Sequence, residues 1–415
     1  GIDARMAKRY GFRVTKKCIV TVYDQVLASS IQKGLFTMCK RLSEVKAKRC
    51  PYLLVAWVLV ISAFLGSAAQ SRVIEDMTGR RIRVPEEVDK VYCSGPGCLR
   101  LLTYLQAQDL AVAVDDLEKR EQSLEARPYA LAHPELKDLA LGGGFRGRDN
   151  PELLLSLDPQ PQVIFKTFPR MGMDAEILQK KTGMPVVALH YGDLGKNRSL
   201  VYESLKLMAK VLDCRSRAEE VVRFFEAQIQ ELRDRSGNIP QDQQPTVFVG
   251  GVAFKGPHGF QSTEPGYPAF RFVPAGNLAA ESAPSGQELR HSIVAKEQIM
   301  IWDPDVLFLD LATLQMGQGA GGLYELRNDP AYQALSAVQE GRVFGLLPYN
   351  WYATNFGSVL ANAYFIGSVL YPERFADIHI QERADTVFSF LVGETVLKRL
   401  NRALSGMVFD QVKVN

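Results

Sequence analysis

The stretch PELLLSLDPQPQVIF, residues 151–165, has a counterpart later in the chain, KEQIMIWDPDVLF, residues 296–308. In each stretch a Glu precedes an Asp-Pro pair by six residues, and a short β-prone segment ending in Phe follows. An apolar run between an acidic residue and a proline is typical of a short helix, whereas the β-prone segment is typical of a strand. The same helix–strand unit therefore occurs twice, which predicts two similar α/β lobes.

Further β-prone segments support this duplication. Helical segments lie between several of them, as expected of a layered α/β sheet, and a hairpin with its turn at residues 78–80 precedes the first group. The predicted strands are residues 91–93, 110–114, 163–165 and 186–189 in the first lobe, and residues 246–249, 306–309 and 343–346 in the second.

One long helix is predicted between the two lobes, at residues 216–236. Its apolar residues recur at helical spacing, Gly237 follows its end, and Pro240 prevents its continuation. A helix of this length spans about 30 Å, the width of a small domain. The sequence therefore predicts an N-terminal α/β lobe at residues 70–215 and a C-terminal α/β lobe at residues 237–415, with a ligand cleft between them.

The amino-terminal part of the chain has the composition of a leader. A basic run at residues 40–49 precedes an apolar run at residues 52–65 and then the small residues of GSAAQS. Basic, apolar and small segments in this order indicate a secretory signal peptide. The alternative, a membrane-spanning helix, needs about 20 apolar residues. We expect residues 1–37 to be an upstream or expression-derived extension and residues 38–69 a signal peptide cleaved after Ala69.

The net charge and the cysteines also change once the leader is set aside. The first 69 residues hold 12 basic and 3 acidic residues, so the remainder, with 37 basic and 43 acidic residues, carries a net charge of −6. That balance argues against a nucleic-acid partner, which needs a clustered basic face. Cys93 and Cys98 are close enough to pair in an oxidising compartment, and two buried thiols are the alternative. No cysteine spacing typical of a zinc site is present.

The sequence contains no catalytic motif. Residues 142–147 and 317–322 match G-x-G-x-x-G, but neither has the strand before and helix directly after that a dinucleotide fingerprint requires. The motifs G-x-x-x-x-G-K-[ST], His-Glu-x-x-His and G-x-S-x-G are absent from the sequence. We therefore expect a binding protein without a cofactor, not an enzyme.

Aromatic and polar residues cluster on loops that follow predicted strands, where open α/β sheets bind ligands. The richest loops are LLPYNWYATNF, residues 346–356, and HGFQSTEPGYPAF, residues 258–270. Their rings predict a pocket for a large, partly planar or chelated ligand. Basic side chains nearby could pair with carboxylate or catecholate oxygens, and for each single residue a loop-anchoring or solvated role is the alternative. The predicted site consists of Arg146, Lys166, Tyr191, His258, Tyr267, Tyr349, Asn350, Trp351 and Tyr352.

Three segments together resemble the helical-backbone periplasmic binding proteins of ABC importers for iron–siderophore, haem and cobalamin. They are DMTGRRIRVPEEVDKVYCSGPG, NPELLLSLDPQPQVIF and AKEQIMIWDPDVLFL, which start at residues 76, 150 and 295. The resemblance extends over residues 72–400. The segment GGGFRGRD and the YNWY loop are not general features of that family, so the resemblance does not name the ligand.

The resemblance implies a monomeric periplasmic carrier that captures an iron chelate of the siderophore type and delivers it to an ABC permease dimer in the inner membrane. It also implies that Glu152 and Glu297, one on each lobe, dock on arginines of the permease. Haem, cobalamin and a bare metal ion are alternative ligands, and a bare ion would need three or more converging side chains. A chelatase-like enzyme of the same architecture is the rival class.

We expect N-terminal sequencing of the protein recovered from the periplasm of its host to begin at or near Gln70. The reason is the order of basic, apolar and small segments that ends at Ala69. Retention of residues 38–69 in the recovered protein would contradict the prediction.

Overall fold

The computed structural model describes residues 70–282, 289 and 291–414. The predicted extension and signal peptide, residues 1–69, lie outside the described residues. Most of the described strands are short and belong to two sheets. The strands are β1 (Ser71–Glu75), β2 (Arg81–Pro85), β3 (Val91–Ser94), β4 (Ala111–Asp115), β5 (Ala140–Gly144), β6 (Arg148–Asp149), β7 (Val163–Thr167), β8 (Val186–Leu189), β9 (Thr246–Gly250), β10 (Ser262–Thr263), β11 (Gly276–Asn277), β12 (Ser292–Ile293), β13 (Val306–Asp310) and β14 (Val343–Leu346).

The helices of the described residues alternate with these strands. They are α1 (Cys98–Tyr104), α2 (Asp116–Lys119), α3 (Pro128–Ala132), α4 (Pro151–Ser156), α5 (Ala175–Thr182), α6 (Arg198–Leu212), α7 (Arg215–Ser236), α8 (Lys296–Trp302), α9 (Gly322–Asn328), α10 (Pro330–Gln333), α11 (Ser336–Gln339), α12 (Phe356–Leu370), α13 (Ile380–Val392) and α14 (Leu397–Ala403). None of the described helices is both long and apolar enough to cross a membrane.

The first lobe is built on a six-stranded sheet in the order β6-β5-β4-β3-β7-β8. Its strands are parallel except for β6, which pairs antiparallel with β5. Along β7, Val163 and Phe165 pack into the main core, whereas Ile164 packs with Leu154 of α4 and Leu178 of α5 on the opposite face. Helices thus cover both faces of the sheet, as parallel strands require.

The second lobe is built on a four-stranded parallel sheet in the order β11-β9-β13-β14. The unit α8–β13 occupies here the place that α4–β7 occupies in the first lobe. The Asn150 side chain caps α4 by accepting the Leu153 amide at 3.1 Å, and Pro151 stands at the first turn of that helix. The predicted fold class, two similar α/β lobes joined by one long helix with a cleft between them, is confirmed.

Helix α7 joins the lobes. Its 22 residues span about 33 Å at 1.5 Å per residue. Near its start Arg217 donates to the Tyr104 carbonyl of the first lobe at 3.0 Å, and at its end the Ser236 hydroxyl lies 3.2 Å from the Phe272 carbonyl of the second lobe. The helix therefore fixes one side of the cleft. The predicted domain boundaries, residues 70–215, 216–236 and 237–415, stay a prediction.

The first lobe also contains a strand that the sequence did not predict. Strand β5 is Gly-rich, and glycine is weak in strands, but neighbouring groups require it here. A Cβ on Gly142 would lie 2.5 Å from the Tyr92 ring, and one on Gly143 would lie 2.7 Å from the Asp149 Cα. Close packing, and not phosphate binding, accounts for these two glycines.

The two cysteines with alternative predictions, Cys93 and Cys98, are buried and unpaired. The Cys98 thiol donates to the Phe165 carbonyl at 3.3 Å. Burial, followed by the neighbouring Cys98 thiol, raises the pKa of Cys93. Buried thiols, the second alternative, are what the structure contains.

Candidate functional site

A cavity of about 200 Å³ lies between the two lobes. The first lobe contributes residues 192–195, which follow β8, and the second lobe contributes Glu264, Arg271, Asn350 and Thr354 as polar lining. Since the carboxyl ends of parallel strands meet at one edge of a sheet, the loops after β8, β9 and β14 all reach this cavity. Most of the apolar wall comes from Phe254, Phe272, Tyr349 and Phe356.

Asp193 and Arg271 form an ion pair from one lobe to the other, with 3.3 Å between Oδ1 and Nη1. Asp193 also accepts the Gly195 amide at 2.6 Å and the Asn197 side-chain amide at 2.9 Å. Burial raises the pKa of Asp193, but these hydrogen bonds and the charge of Arg271 hold it below its usual range. An ionised Asp193 therefore positions the Arg271 guanidinium at the cavity wall.

Tyr349 and Asn350, both among the predicted site residues, line the cavity. The Asn350 side chain donates to the Ala253 carbonyl at 2.9 Å. Tyr267 is buried behind Tyr349, with the two rings perpendicular at 5.4 Å, and its hydroxyl accepts from the Asn362 side chain at 3.2 Å. Tyr267 supports the wall from behind.

Tyr191 and Trp351 lie in the interface between the lobes. The Tyr191 ring stacks between Phe168 of the first lobe at 5.9 Å and Phe356 of the second at 5.1 Å. The Trp351 indole N–H donates to Gln122 of the first lobe at 3.3 Å. Both rings seal the space beside the cavity.

Tyr352 makes a polar contact across the same interface. Its hydroxyl donates to Asp115 Oδ2 and accepts the Arg146 backbone amide at 3.0 Å, while the Arg146 side chain is exposed. Burial, and then the charge of Glu118, raises the pKa of Asp115 to about 7 although the bond from Tyr352 opposes the shift. Burial, and then Asp115, also raises the pKa of Tyr352. Asp115 therefore changes charge near neutral pH at a contact between lobes.

Lys166 lies inside the first lobe. Its Nζ is 2.7 Å from Asp149 Oδ2, and both side chains are 0% exposed. The same Nζ donates to Ser94 Oγ at 2.9 Å and to the Gly147 carbonyl at 3.3 Å. With three acceptors around it, Lys166 is held in the lobe and does not reach the cavity.

His258 lies beside His291 in the second lobe, with 5.4 Å between the ring centroids. Its Nε2 lies 2.8 Å from the Phe254 carbonyl. Burial, and then His258, lowers the pKa of His291. In the part of the chain that the structure describes, no group of three or more His, Cys, Asp or Glu side chains is placed to hold a metal ion.

Sequence reasoning did not find Asp193, Glu264 and Arg271. Asp193 follows the predicted strand at residues 186–189 by four positions, and Glu264 lies within the Gly/Pro-rich stretch HGFQSTEPGYPAF. Charged residues in loops directly after strands were the available signal. The prediction relied on aromatic residues and therefore named other positions in the same loops.

Glu152 and Glu297, the predicted docking residues, occupy equivalent places on the two lobes. Each lies in the first turn of its helix, Glu152 in α4 and Glu297 in α8, and each is exposed. A carboxylate at a helix start is also favoured by the helix dipole. Their positions are compatible with docking and with a purely local role.

Two α/β lobes around a shared cleft, joined by one long helix, define a two-lobed solute-binding protein. The model of the Periplasmic binding protein family, Peripla_BP_2, matches residues 95–349, and the chain belongs to this family. It is thus a periplasmic binding protein of an ABC importer. Its relatives bind solutes and are not enzymes, so the expected class is confirmed.

Individual relatives are similar over most of the chain. The molybdate-binding protein MolA of Haemophilus influenzae is 23% identical over 358 residues, which cover 81% of this chain and 94% of MolA. Its structure with molybdate bound has a TM-score of 0.59 at 19% identity, covering 78% of this chain and 98% of that chain. A periplasmic solute-binding protein from Veillonella parvula has a TM-score of 0.62 at 16% identity, covering 82% and 97%. At these identities the solved structures establish the fold alone.

We expect Lys166→Met to lower the free energy of unfolding by about 3–5 kcal/mol, because it leaves the Asp149 carboxylate buried without its partner. The double variant Lys166→Met/Asp149→Asn removes that charge and should regain most of the loss. Urea unfolding of the three proteins measures both effects. A loss below about 1 kcal/mol in the single variant would place the pair in the range of solvent-exposed ion pairs and contradict the prediction.

Proposed function

We propose that this protein captures a small oxyanion of the molybdate class in the cleft between its lobes and delivers it to an ABC permease. The observation that carries the proposal is the cavity of about 200 Å³ with Arg271 at its wall. The planar fork of an arginine matches the oxygens of an oxyanion. The Asn350 side chain and the loop at residues 192–195 add polar groups to the lining.

Size favours a small ligand over the iron chelate that the sequence predicts. Pockets for drug-sized ligands measure about 300–1,000 Å³, and the cavity here is smaller. A siderophore complex, a haem or a cobalamin would require the lobes to lie further apart. A bare metal ion has no set of three ligands among the described residues.

The charged side chains of the cavity wall are compatible with an anionic ligand. Asp193 is already engaged by Arg271 and by amides of its own loop, so its charge is compensated from several directions. Glu264 is a second carboxylate in the lining. The proposal therefore assigns the attraction of the anion to Arg271.

Relatives and the leader agree with this function. MolA, whose name states that it binds molybdate, aligns with most of the chain. The predicted signal peptide at residues 38–69 would deliver the protein to the periplasm. The iron chelate stays the second candidate because the resemblance that the sequence carries is to importers of such ligands.

We expect isothermal titration with sodium molybdate to detect binding, and Arg271→Gln to weaken it by about 1.5–3 kcal/mol, which is about 10- to 150-fold. Arg223→Gln is the matched control: that side chain is 67% exposed on α7 and pairs only loosely with Glu219 at 3.9 Å.

The wild-type protein titrated with molybdate, tungstate and a ferric catecholate complex separates the two candidates. Binding of the ferric complex without binding of either oxyanion would replace the first candidate by the second. Equal losses in the Arg271 and Arg223 variants would mean that only the overall charge matters and that Arg271 is no ligand-binding residue.

We further propose that Glu152 and Glu297 form two prongs that dock on basic residues of the permease. Support comes from their exposure and from their equivalent places on the two lobes. Two carboxylates held at a fixed separation suit a permease with two-fold symmetry. A salt bridge at each prong would orient the cleft over the transport path.

We expect Glu152→Ala/Glu297→Ala to abolish molybdate uptake in cells while ligand affinity of the purified protein stays unchanged. Loss of the dipole interaction alone costs only about 0.3–1 kcal/mol of stability for each residue. Glu382→Ala, an exposed acid in the first turn of α13, is the matched control and should leave uptake normal. Normal uptake in the double variant would leave the two residues with a local role only.

A further inference from the structure

Arg100 is a fully buried arginine whose hydrogen bonds cross from one lobe to the other. It lies on α1 of the first lobe and is 0% exposed. Its Nη2 donates to the carbonyls of Trp351 at 3.0 Å and Tyr352 at 3.2 Å, and its Nη1 donates to the carbonyl of Thr354 at 3.1 Å. Three backbone oxygens of a single loop in the second lobe therefore converge on one guanidinium.

Among the described residues no carboxylate is hydrogen-bonded to Arg100, although the charge of Glu118 interacts with it at longer range. Within the described residues, the side-chain partner of Arg100 is the Tyr191 hydroxyl at 2.5 Å, and no salt bridge involves Arg100. Burial alone lowers the pKa of Arg100, but the nearby phenols of Tyr191, Tyr129 and Tyr104 raise it above its ordinary value. The group stays charged, and a buried charge is costly unless polar partners surround it.

The backbone conformation of the loop that supplies the carbonyls accounts for their arrangement. Tyr352 and Ala353 both adopt left-handed backbone conformations, with φ of 51° and 66°, which side chains other than glycine adopt only at an energetic cost. The Asn355 side chain donates to the carbonyls of Tyr349 at 3.2 Å and Trp351 at 3.4 Å and fixes the loop from behind. Strain of this kind persists where surrounding contacts enforce it, and here it turns three carbonyls to one point.

We propose that the carbonyls of Trp351, Tyr352 and Thr354 form a guanidinium site, filled in this chain by Arg100, whose occupation holds the two lobes closed in the absence of a ligand. We name these three carbonyls the carbonyl nest. The proposal does not depend on which solute the cavity takes. When the lobes separate, Arg100 loses all three acceptors. The guanidinium and the three carbonyls must then form hydrogen bonds with water instead.

A distance measurement without any ligand tests the nest. Spin labels at Lys180→Cys in the first lobe and Ile301→Cys in the second report the separation of the lobes, because these side chains are 74% and 76% exposed. Among the described cysteines, Cys214 is the one that is only partly buried, and Cys214→Ser removes it. We expect one narrow distance distribution in this parent protein and an added longer distance after Arg100→Ala.

Chemical rescue separates occupation of the nest from packing of the arginine stem. Millimolar guanidinium chloride should return the Arg100→Ala distribution to that of the parent, whereas ammonium chloride or urea at the same concentration should not. Arg100→Lys, which keeps the charge but cannot span three carbonyls, should open partly. Arg327→Ala removes an arginine bound to the Lys413 carbonyl within the second lobe at 2.8 Å and should change nothing.

Two results would overturn the inference. One is a parent-like distribution in both Arg100→Ala and Arg100→Lys, which would mean that other contacts close the lobes. The other is an open Arg100→Ala protein that guanidinium does not close, which would assign the effect to lost packing. Should Arg100→Ala fail to fold by circular dichroism, Arg100→Lys carries the distance measurement alone. Failure of molybdate to bind leaves all these results intact, so the two proposals are tested separately.

Discussion

Both parallel sheets direct the carboxyl ends of their strands at one cleft, and the rest of the structure depends on this constraint. Parallel strands are covered by helices on both faces, so only their ends and the loops that follow can reach a ligand. The loop at residues 192–195 follows β8, Asp115 ends β4, and Tyr349 follows β14 by three residues. Residues 192–195 and Tyr349, which are far apart in sequence, therefore meet in a cavity of about 200 Å³, and Asp115 meets Tyr352 beside it.

Much of the fold could be predicted because its signals are local. The repeated helix–strand unit needs only a capped apolar run, a proline and a β-prone segment, and the structure contains it as α4–β7 and α8–β13. The stripe of apolar residues on α7 is equally local. Strand β5 could not be predicted, because its glycines are required by close contacts with Tyr92 and Asp149. Only the folded sheet brings these residues close.

The candidate site could be predicted only in part, and the reason is geometric. Sequence reasoning chose the YNWY loop for its rings, and Tyr349 and Asn350 do line the cavity. The left-handed backbone at Tyr352 and Ala353 instead turns carbonyls toward the first lobe. Because neither residue is glycine, the sequence does not indicate this backbone conformation. The charge of Lys166 predicts a ligand contact, but the buried carboxylate of Asp149 holds this side chain inside the lobe. Partners of this kind depend on how elements dock, which single-sequence patterns do not contain.

Two arginines join the lobes in different ways. Arg271 lines the cavity and pairs with Asp193 of the first lobe, whereas Arg100 is buried and donates to three carbonyls of the second lobe. A protein whose lobes stay closed without ligand keeps Glu152 and Glu297 at nearly the same separation whether the cavity is full or empty. Docking would then not distinguish the loaded protein from the empty one. Release of the solute would require the permease to separate the carbonyl nest from Arg100. Loading would have to be sensed in the cavity itself, where Asp193 and Arg271 line the wall and join the two lobes.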